Sequence, residues 1–434
     1  MKKSLLAVAA IGAFASAAQA QSSVTVYGIL DVGYIGANTR FNTNDTATIA
    51  NGGTGAANSS AVRATTNQLS QSAESTSRLG FKGNEDLGGG TSAFFTAEFQ
   101  LYPNDATLSG NTSGGLLNRQ TFVGLKKNGV GQAALGTQYT PIFNSLAATD
   151  PGQTNNIAGS VIYPAGGNGA GATSSAFTVR TSNTLTLKSD NFSGFTASAM
   201  YTLNNKNSSE ISSSSITTGG NTNASGWGLA ADYTHNKFYV VAAYQALKQL
   251  TTATDLGAVS QANNGVWSTA QANGATSAPA GTAFCVAGVG PALSTCAQNI
   301  QDNQFYAGTT YDFGILKAYA NYINRKATAT QNSGYYMSRA AEQIGVRSYI
   351  TPTVEAWASA GLGRYTAFGN GQPTANFNAW QLGTNYYLSK RTNLYGIYGQ
   401  TITSNSQYTN ATTGTTNTGS YGASMYAVGV RHTF

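Results

Sequence analysis

Nucleophilic or acid–base catalysis needs a Ser, Cys, Asp or Lys sharpened by a neighbouring base, and histidine is the usual base. This chain of 434 residues has 2 histidines, His235 and His432. Both fall in segments assigned below to the same end of the fold, away from any outward-facing cleft. The sequence therefore predicts no catalytic residue and no cofactor. Cys285 and Cys296 share one long polar stretch, and the nearest histidine, His235, sits in a tight turn, which argues against a zinc site. In an exported chain this cysteine pair predicts a disulfide. Closing so short a loop restricts the unfolded segment by roughly 2–3 kcal/mol. What remain are charges set singly among neutral residues, such as Arg78, Lys82, Glu98, Arg119, Asp150 and Arg180. Groups like these steer ions when a scaffold gathers them around water.

The scaffold has to be read from the rest of the chain. Lys2 and Lys3 precede an apolar run from Leu5 to Ala18 that closes on Ala18-Gln19-Ala20, the pattern of a cleaved secretory signal. Residues 1–20 are read as that leader and 21–434 as one domain. No later run approaches the roughly 18 apolar residues of a transmembrane helix, so membrane residence requires strands closed into a barrel. Charged residues make up 9% of the chain, against about 25% in soluble domains. Removing Lys2 and Lys3 from the 23 basic residues leaves 21 against 16 acids, a balance of +5. The excess is dispersed, without the basic and aromatic cluster that nucleic acid binding needs. It fits the inside of a pore or contact with lipopolysaccharide.

Period-2 alternation marks sixteen segments, from Val24–Gly36 and Ser77–Gly83 through Asn393–Thr403 and Ser424–Phe434. Their connectors alternate in length. One set is tight, as in Asn84–Gly90, Asn128–Val130 and Ser389–Thr392. The other is long and polar, as in Ala37–Thr76, Tyr139–Thr178, Leu250–Asp302 and Ser404–Ala423. Short turns on one side and long loops on the other describe an all-β, 16-stranded antiparallel transmembrane β-barrel, with the turns periplasmic. A sandwich with the same alternation would bury its inward charges in a dry core, whereas a barrel of this size holds an aqueous lumen.

With these elements placed, Ser23-Val24-Thr25-Val26-Tyr27-Gly28-Ile29-Leu30-Asp31 and Ser75-Thr76-Ser77-Arg78-Leu79-Gly80-Phe81-Lys82-Gly83, followed by Glu85-Asp86-Leu87-Gly88-Gly89-Gly90, resemble the first strands and turn of the trimeric general porins of Gram-negative bacteria, in particular the beta-proteobacterial family. Glu98, Arg119-Gln120-Thr121-Phe122-Val123-Gly124-Leu125, Arg180 with Asn183 and Thr184, and the final Phe434 extend the likeness along the chain. The resemblance implies a homotrimer in the outer membrane, passive diffusion of small hydrophilic solutes and ions, and a third loop folded inward. It also places Arg78, Arg119 and Arg180 on the constriction wall. Alternation supports an inward Arg78 and Lys82 opposite Leu79 and Phe81, and an inward Arg180. For Arg119 the parity is weak.

Asp150 is the one charge in the third loop, read as a constriction acid and, compatibly with that, as the turn former of Asp150-Pro151-Gly152. Glu98 is read as a lumenal partner of the arginines. More positive than negative charge at the narrowest point predicts an anion preference. Ending the last strand on Tyr426, Val428, Val430, His432 and Phe434 resembles the signal read by the barrel-assembly machinery. A solute-specific pore and, less well supported, a surface adhesin remain as alternatives.

Overall fold

The computed structural model describes residues 23–43, 62–108, 115–164, 176–208, 220–251, 300–330, 336–368, 374–409 and 416–434. The expected leader and both cysteines, Cys285 and Cys296, lie outside these residues. The strands are β1 (Ser23–Thr43), β2 (Val62–Gln71), β3 (Arg78–Gly88), β4 (Thr91–Gln100), β5 (Leu117–Lys127), β6 (Gly131–Tyr139), β7 (Arg180–Ser189), β8 (Phe195–Ser208), β9 (Gly220–His235), β10 (Phe238–Thr251), β11 (Ile300–Asp312), β12 (Lys317–Ala329), β13 (Tyr336–Thr351), β14 (Val354–Phe368), β15 (Ala375–Tyr387), β16 (Thr392–Thr409) and β17 (Thr416–Thr433). Among the described residues a single helix, α1 (Pro141–Thr149), follows β6.

Neighbours pair antiparallel, and β1 meets β17 from Ile29↔Thr433 to Thr43↔Gly419, closing the barrel. The other edge of β1 is divided. Ser23–Ile29 pairs with β3, and Val32–Phe41 pairs with β2. β2 and β3 are therefore two halves of one stave, so the seventeen strands fill sixteen places. This corrects the reading of Ala37–Thr76 as loop, since it contains the end of β1 and all of β2. β8, β13, β16 and β17 also run further outward than alternation indicated. Beyond the bilayer both faces of a strand meet water, so period-2 apolarity vanishes while Thr- and Tyr-rich segments still prolong the ladder.

Below that level the faces separate cleanly. Val123, Leu125, Leu229, Ile344, Leu362 and Val428 point outward and are exposed, whereas Gln245, Asp302, Gln343 and Gln381 point inward and are buried. The interior is buried because the third loop lies within it. Thr140 caps α1 by accepting a hydrogen bond from the Phe143 amide at 3.3 Å, and Pro141 occupies the first turn, where its missing N–H costs nothing. Ile142 and Leu146 on α1 pack with Phe177, Val241, Tyr306 and Ile323, so an apolar patch of the loop is matched by one on the wall.

The break between β2 and β3 is organised around Asp31. Its carboxylate accepts hydrogen bonds from the Glu74 and Ser75 amides (2.8 and 2.6 Å) and from the Tyr395 hydroxyl (2.6 Å), and it is fully buried. The turned-in segment holds the third loop in turn, because the Asn156 amide donates to the Ala73 carbonyl at 2.9 Å. Replacing Asp31 by Ala leaves three donors without their acceptor. The expected loss is about 2–4 kcal/mol of barrel stability, read as a lower temperature for the heat-induced mobility shift of the folded band on a denaturing gel. An unchanged transition would show that Asp31 is not the keystone of this segment.

Candidate functional site

The charges picked out by sequence converge where the third loop leaves the wall. Arg78 opens β3, Glu98 lies on β4, Arg119 on β5, Tyr139 ends β6 and Arg180 opens β7. Arg119 reaches the lumen through a β-bulge. Gln120 pairs with Glu98 and Asn118 with Phe99, so Arg119 is the extra residue. A bulge re-aims a side chain against simple alternation, which accounts for the weak parity. A second register shift lies beneath Arg180, where Gly136 pairs with Thr184 but Gln138 with Thr181, and Asn183 takes φ +53°.

The Arg119 guanidinium donates through Nε to Glu98 Oε1 at 2.8 Å, through Nη2 to the Tyr139 hydroxyl at 2.8 Å, and through Nη1 to Gln100 at 3.4 Å. Arg78 approaches the same Glu98 oxygen at 3.8 Å. Tyr27 donates to the other carboxylate oxygen at 3.2 Å. Arg180 lies over the Tyr139 ring, 5.7 Å from its centroid, and that ring stacks on Phe143 of α1 at 4.1 Å. Tyr139 is thus a post between two guanidiniums, tied by its ring to the loop. Arg78 and Arg119 share the Glu98 carboxylate, and Arg180 stands beside them over the Tyr139 ring. Such a cluster stabilises anions and transfers no proton. Lys82 stands apart, four residues nearer the periplasmic turn, over the Tyr27 ring at 5.4 Å.

Asp150 is not brought to this cluster. It caps α1, and its carboxylate accepts from the Gly152 and Thr154 amides at 3.2 and 2.7 Å and from Gln343 at 3.3 Å. Burial pushes its carboxyl above the ordinary carboxylate range, and those amide bonds work against the shift. These contacts are those of a turn former. The loop beyond it is stitched to the opposite wall. Asn321 donates to the Thr149 carbonyl at 3.0 Å, Gln343 accepts from the Val161 amide at 3.1 Å, and Gln381 donates to the Ile157 and Ala158 carbonyls at 2.6 and 2.9 Å.

Sequence reading missed Tyr27, Gln100 and Tyr139, because a lone inward Tyr or Gln looks like any other lumenal polar residue. It also missed the cations paired elsewhere around the lumen. Arg325 pairs with Asp302 at 2.6 Å, Arg347 with Glu355 at 3.0 Å and Arg431 with Glu74 at 3.5 Å, while Arg339 donates to the Val161 carbonyl. Only pairing across strands reveals that these charges are matched.

Known proteins share this architecture. The Gram-negative porin family model matches residues 7–406. Outer membrane porin protein 32 of Delftia acidovorans is 34% identical over 48% of this chain and 51% of its own length. An outer membrane porin protein of Bordetella pertussis is 28% identical over 57% of this chain and 60% of its own length. The chain thus spans between half and three-fifths of these curated relatives. Among solved structures, the anion-selective porin from Comamonas acidovorans superposes with a TM-score of 0.61 at 20% identity, covering 95% of this chain and all of that one. The trimer form of OmpT from Vibrio cholerae gives 0.55 at 14% identity, with 95% and 99% covered.

Glu98 is buried and depends on its cations. Arg119→Ala removes the nearest of them and is expected to cost about 3–5 kcal/mol, whereas Arg119→Ala combined with Glu98→Gln recovers much of that loss because no uncompensated charge remains. Urea denaturation of the folded barrel separates the two. If the double variant is no more stable than the single one, the pair is not the coupled unit described.

Proposed function

The chain belongs to the Gram-negative porin family, and on that premise we propose that it forms a homotrimeric outer-membrane channel for passive diffusion of small hydrophilic solutes and inorganic ions, with a preference for anions. It is a conduit and not an enzyme. The observation that carries the preference is the set of Arg78, Arg119 and Arg180 around Glu98, at the level where α1 and its loop narrow the lumen. The acid expected opposite them, Asp150, is occupied by its own turn. In a passage with low-dielectric walls such an imbalance acts more strongly than in bulk water, where unit charges about 4 Å apart interact by about 1 kcal/mol. The solved porin from Comamonas is described as anion-selective, and that of Vibrio as a trimer, in keeping with this reading.

A general pore fits better than a sugar-specific one. Stacking of sugars needs aromatic faces open to the lumen, yet Trp227 and Trp380 are exposed on the outer surface, and Trp357 and Tyr306 are covered by the third loop. The outer face meets membrane lipid and lipopolysaccharide. Phe434 exchanges two backbone hydrogen bonds with Gly28, at 3.0 and 3.1 Å, and its ring lies where a Cβ on Gly28 would come within 2.4 Å. Tyr426 stands eight residues earlier on the same outward face. These features suit the strand read by the barrel-assembly machinery.

Two measurements test this. In a KCl gradient across a planar bilayer the reversal potential should show chloride favoured, less so for Arg78→Ala, Arg119→Ala or Arg180→Ala and more so for Glu98→Gln. The difference should fade near 1 M salt, where screening acts within about 3 Å. A cation-selective wild type would sink the reading. Deleting Phe434 should lower the amount of folded barrel in the outer membrane while export across the inner membrane continues; an undiminished yield would remove its assembly role.

A further inference from the structure

The outer surface of β10, β12 and β14 carries cations that a lipid-facing wall does not need. Lys248, Lys326 and Arg364 are exposed, and they alternate with Leu247, Arg325 and Tyr365, which face inward. Each lies roughly ten residues from the periplasmic start of its strand at Phe238, Lys317 or Val354. At about 3.3 Å per residue and a tilt near 40°, that places all three about 25 Å above the turns, at the outer rim of the apolar band. Tyr322 and Trp380, exposed on β12 and β15, lie just beneath as an aromatic belt. Lys326 is held with its ammonium 4.3 Å from the Tyr336 ring centroid. On this stretch of outer wall the described residues include one carboxylate, Glu342, diagonal to Arg364 across the β13–β14 ladder.

Below the cations runs a furrow of about 710 Å³ whose floor is Ala307, Ala320 and Ala360 and whose sides are Val240, Ile344 and Leu362. A net positive rim above an apolar furrow is complementary to an anionic amphiphile whose head group sits at the outer interface. Lysine and arginine bind phosphate oxygens by charge-assisted hydrogen bonds. The outer leaflet is the only lipid layer at that height.

We propose that Lys248, Lys326 and Arg364 hold the phosphates of lipopolysaccharide, with an acyl chain of the same molecule in the furrow below. This deepens the reading of that face as lipid-facing and rests on it. The channel itself does not depend on it, because the three side chains point away from the lumen.

The test uses full-length folded protein extracted from outer membranes in mild detergent, with bound lipopolysaccharide quantified by native mass spectrometry. Lys248→Gln/Lys326→Gln/Arg364→Gln is expected to retain about tenfold less than wild type, whereas Lys326→Arg keeps its share. Delipidated wild type should rebind lipopolysaccharide but not its dephosphorylated form. Equal retention by the triple variant, or equal rebinding of the dephosphorylated lipid, overturns the proposal. So does a triple variant that loses its oligomeric state when wild type carries no lipid, since the face would then be a contact between copies. If the triple variant does not fold, Arg364→Gln alone and the dephosphorylated lipid decide. Conductance and reversal potential recorded on the same samples should match wild type, which keeps a failure here distinct from a failure of the channel reading.

Discussion

A polypeptide laid through the middle of a barrel brings its own amides and carbonyls into a space walled by other chain, and each must find a partner or cost free energy. Beyond α1, the third loop meets this constraint with side chains from the barrel wall. Gln304 accepts from the Thr178 amide, Gln343 from the Val161 amide, and Gln381, Asn321 and Arg339 donate to loop carbonyls. A wall residue in this role has to carry a long, uncharged or permanently donating group, which explains why the inward face of β11–β15 is rich in Gln, Asn and Arg. The close approach is tight enough that a Cβ on Gly399 would collide with the Ala158 carbonyl.

The same constraint sorts the charges. On the wall that carries the loop, cations are neutralised in pairs, as with Arg325 and Asp302 or Arg347 and Glu355, or are bound to loop backbone, as with Arg339. On the facing wall the loop departs at Tyr139, and Arg78 and Arg119 converge on the single carboxylate of Glu98 with Arg180 beside them over the Tyr139 ring. The field in the lumen is therefore set less by total charge than by where wall carboxylates and loop carbonyls supply partners.

How much of this could be read from the sequence follows from which forces leave a local trace. Alternation within the bilayer-facing level is local, so Phe195, Ala197 and Ala199 or Ile344 and Val346 declare their faces, and the short turns declare their side. The inward set of Arg78 and Arg180 was legible for that reason. β2 was not, because outside the membrane neither face is penalised for being polar. Asp150 could be seen as a turn former from its own neighbours, but the further bond that ties it to the wall comes from Gln343, nearly two hundred residues away. The matched pairs elsewhere around the lumen are invisible for the same reason.

The bulge at Arg119 carries a consequence for how such a barrel can change over time. In a regular strand, losing or gaining one residue turns every later side chain inside out, exchanging lipid-facing and water-facing sets at once. Here Asn118 and Gln120 already pair with adjacent residues Phe99 and Glu98, so Arg119 is surplus to the ladder. Excising it would restore an ordinary register while Phe122, Gly124 and Lys126 kept their side of the wall. Length variation of a single codon at this spot is thus a route by which descendants of one barrel could shed or acquire a lumenal cation without refolding the sheet.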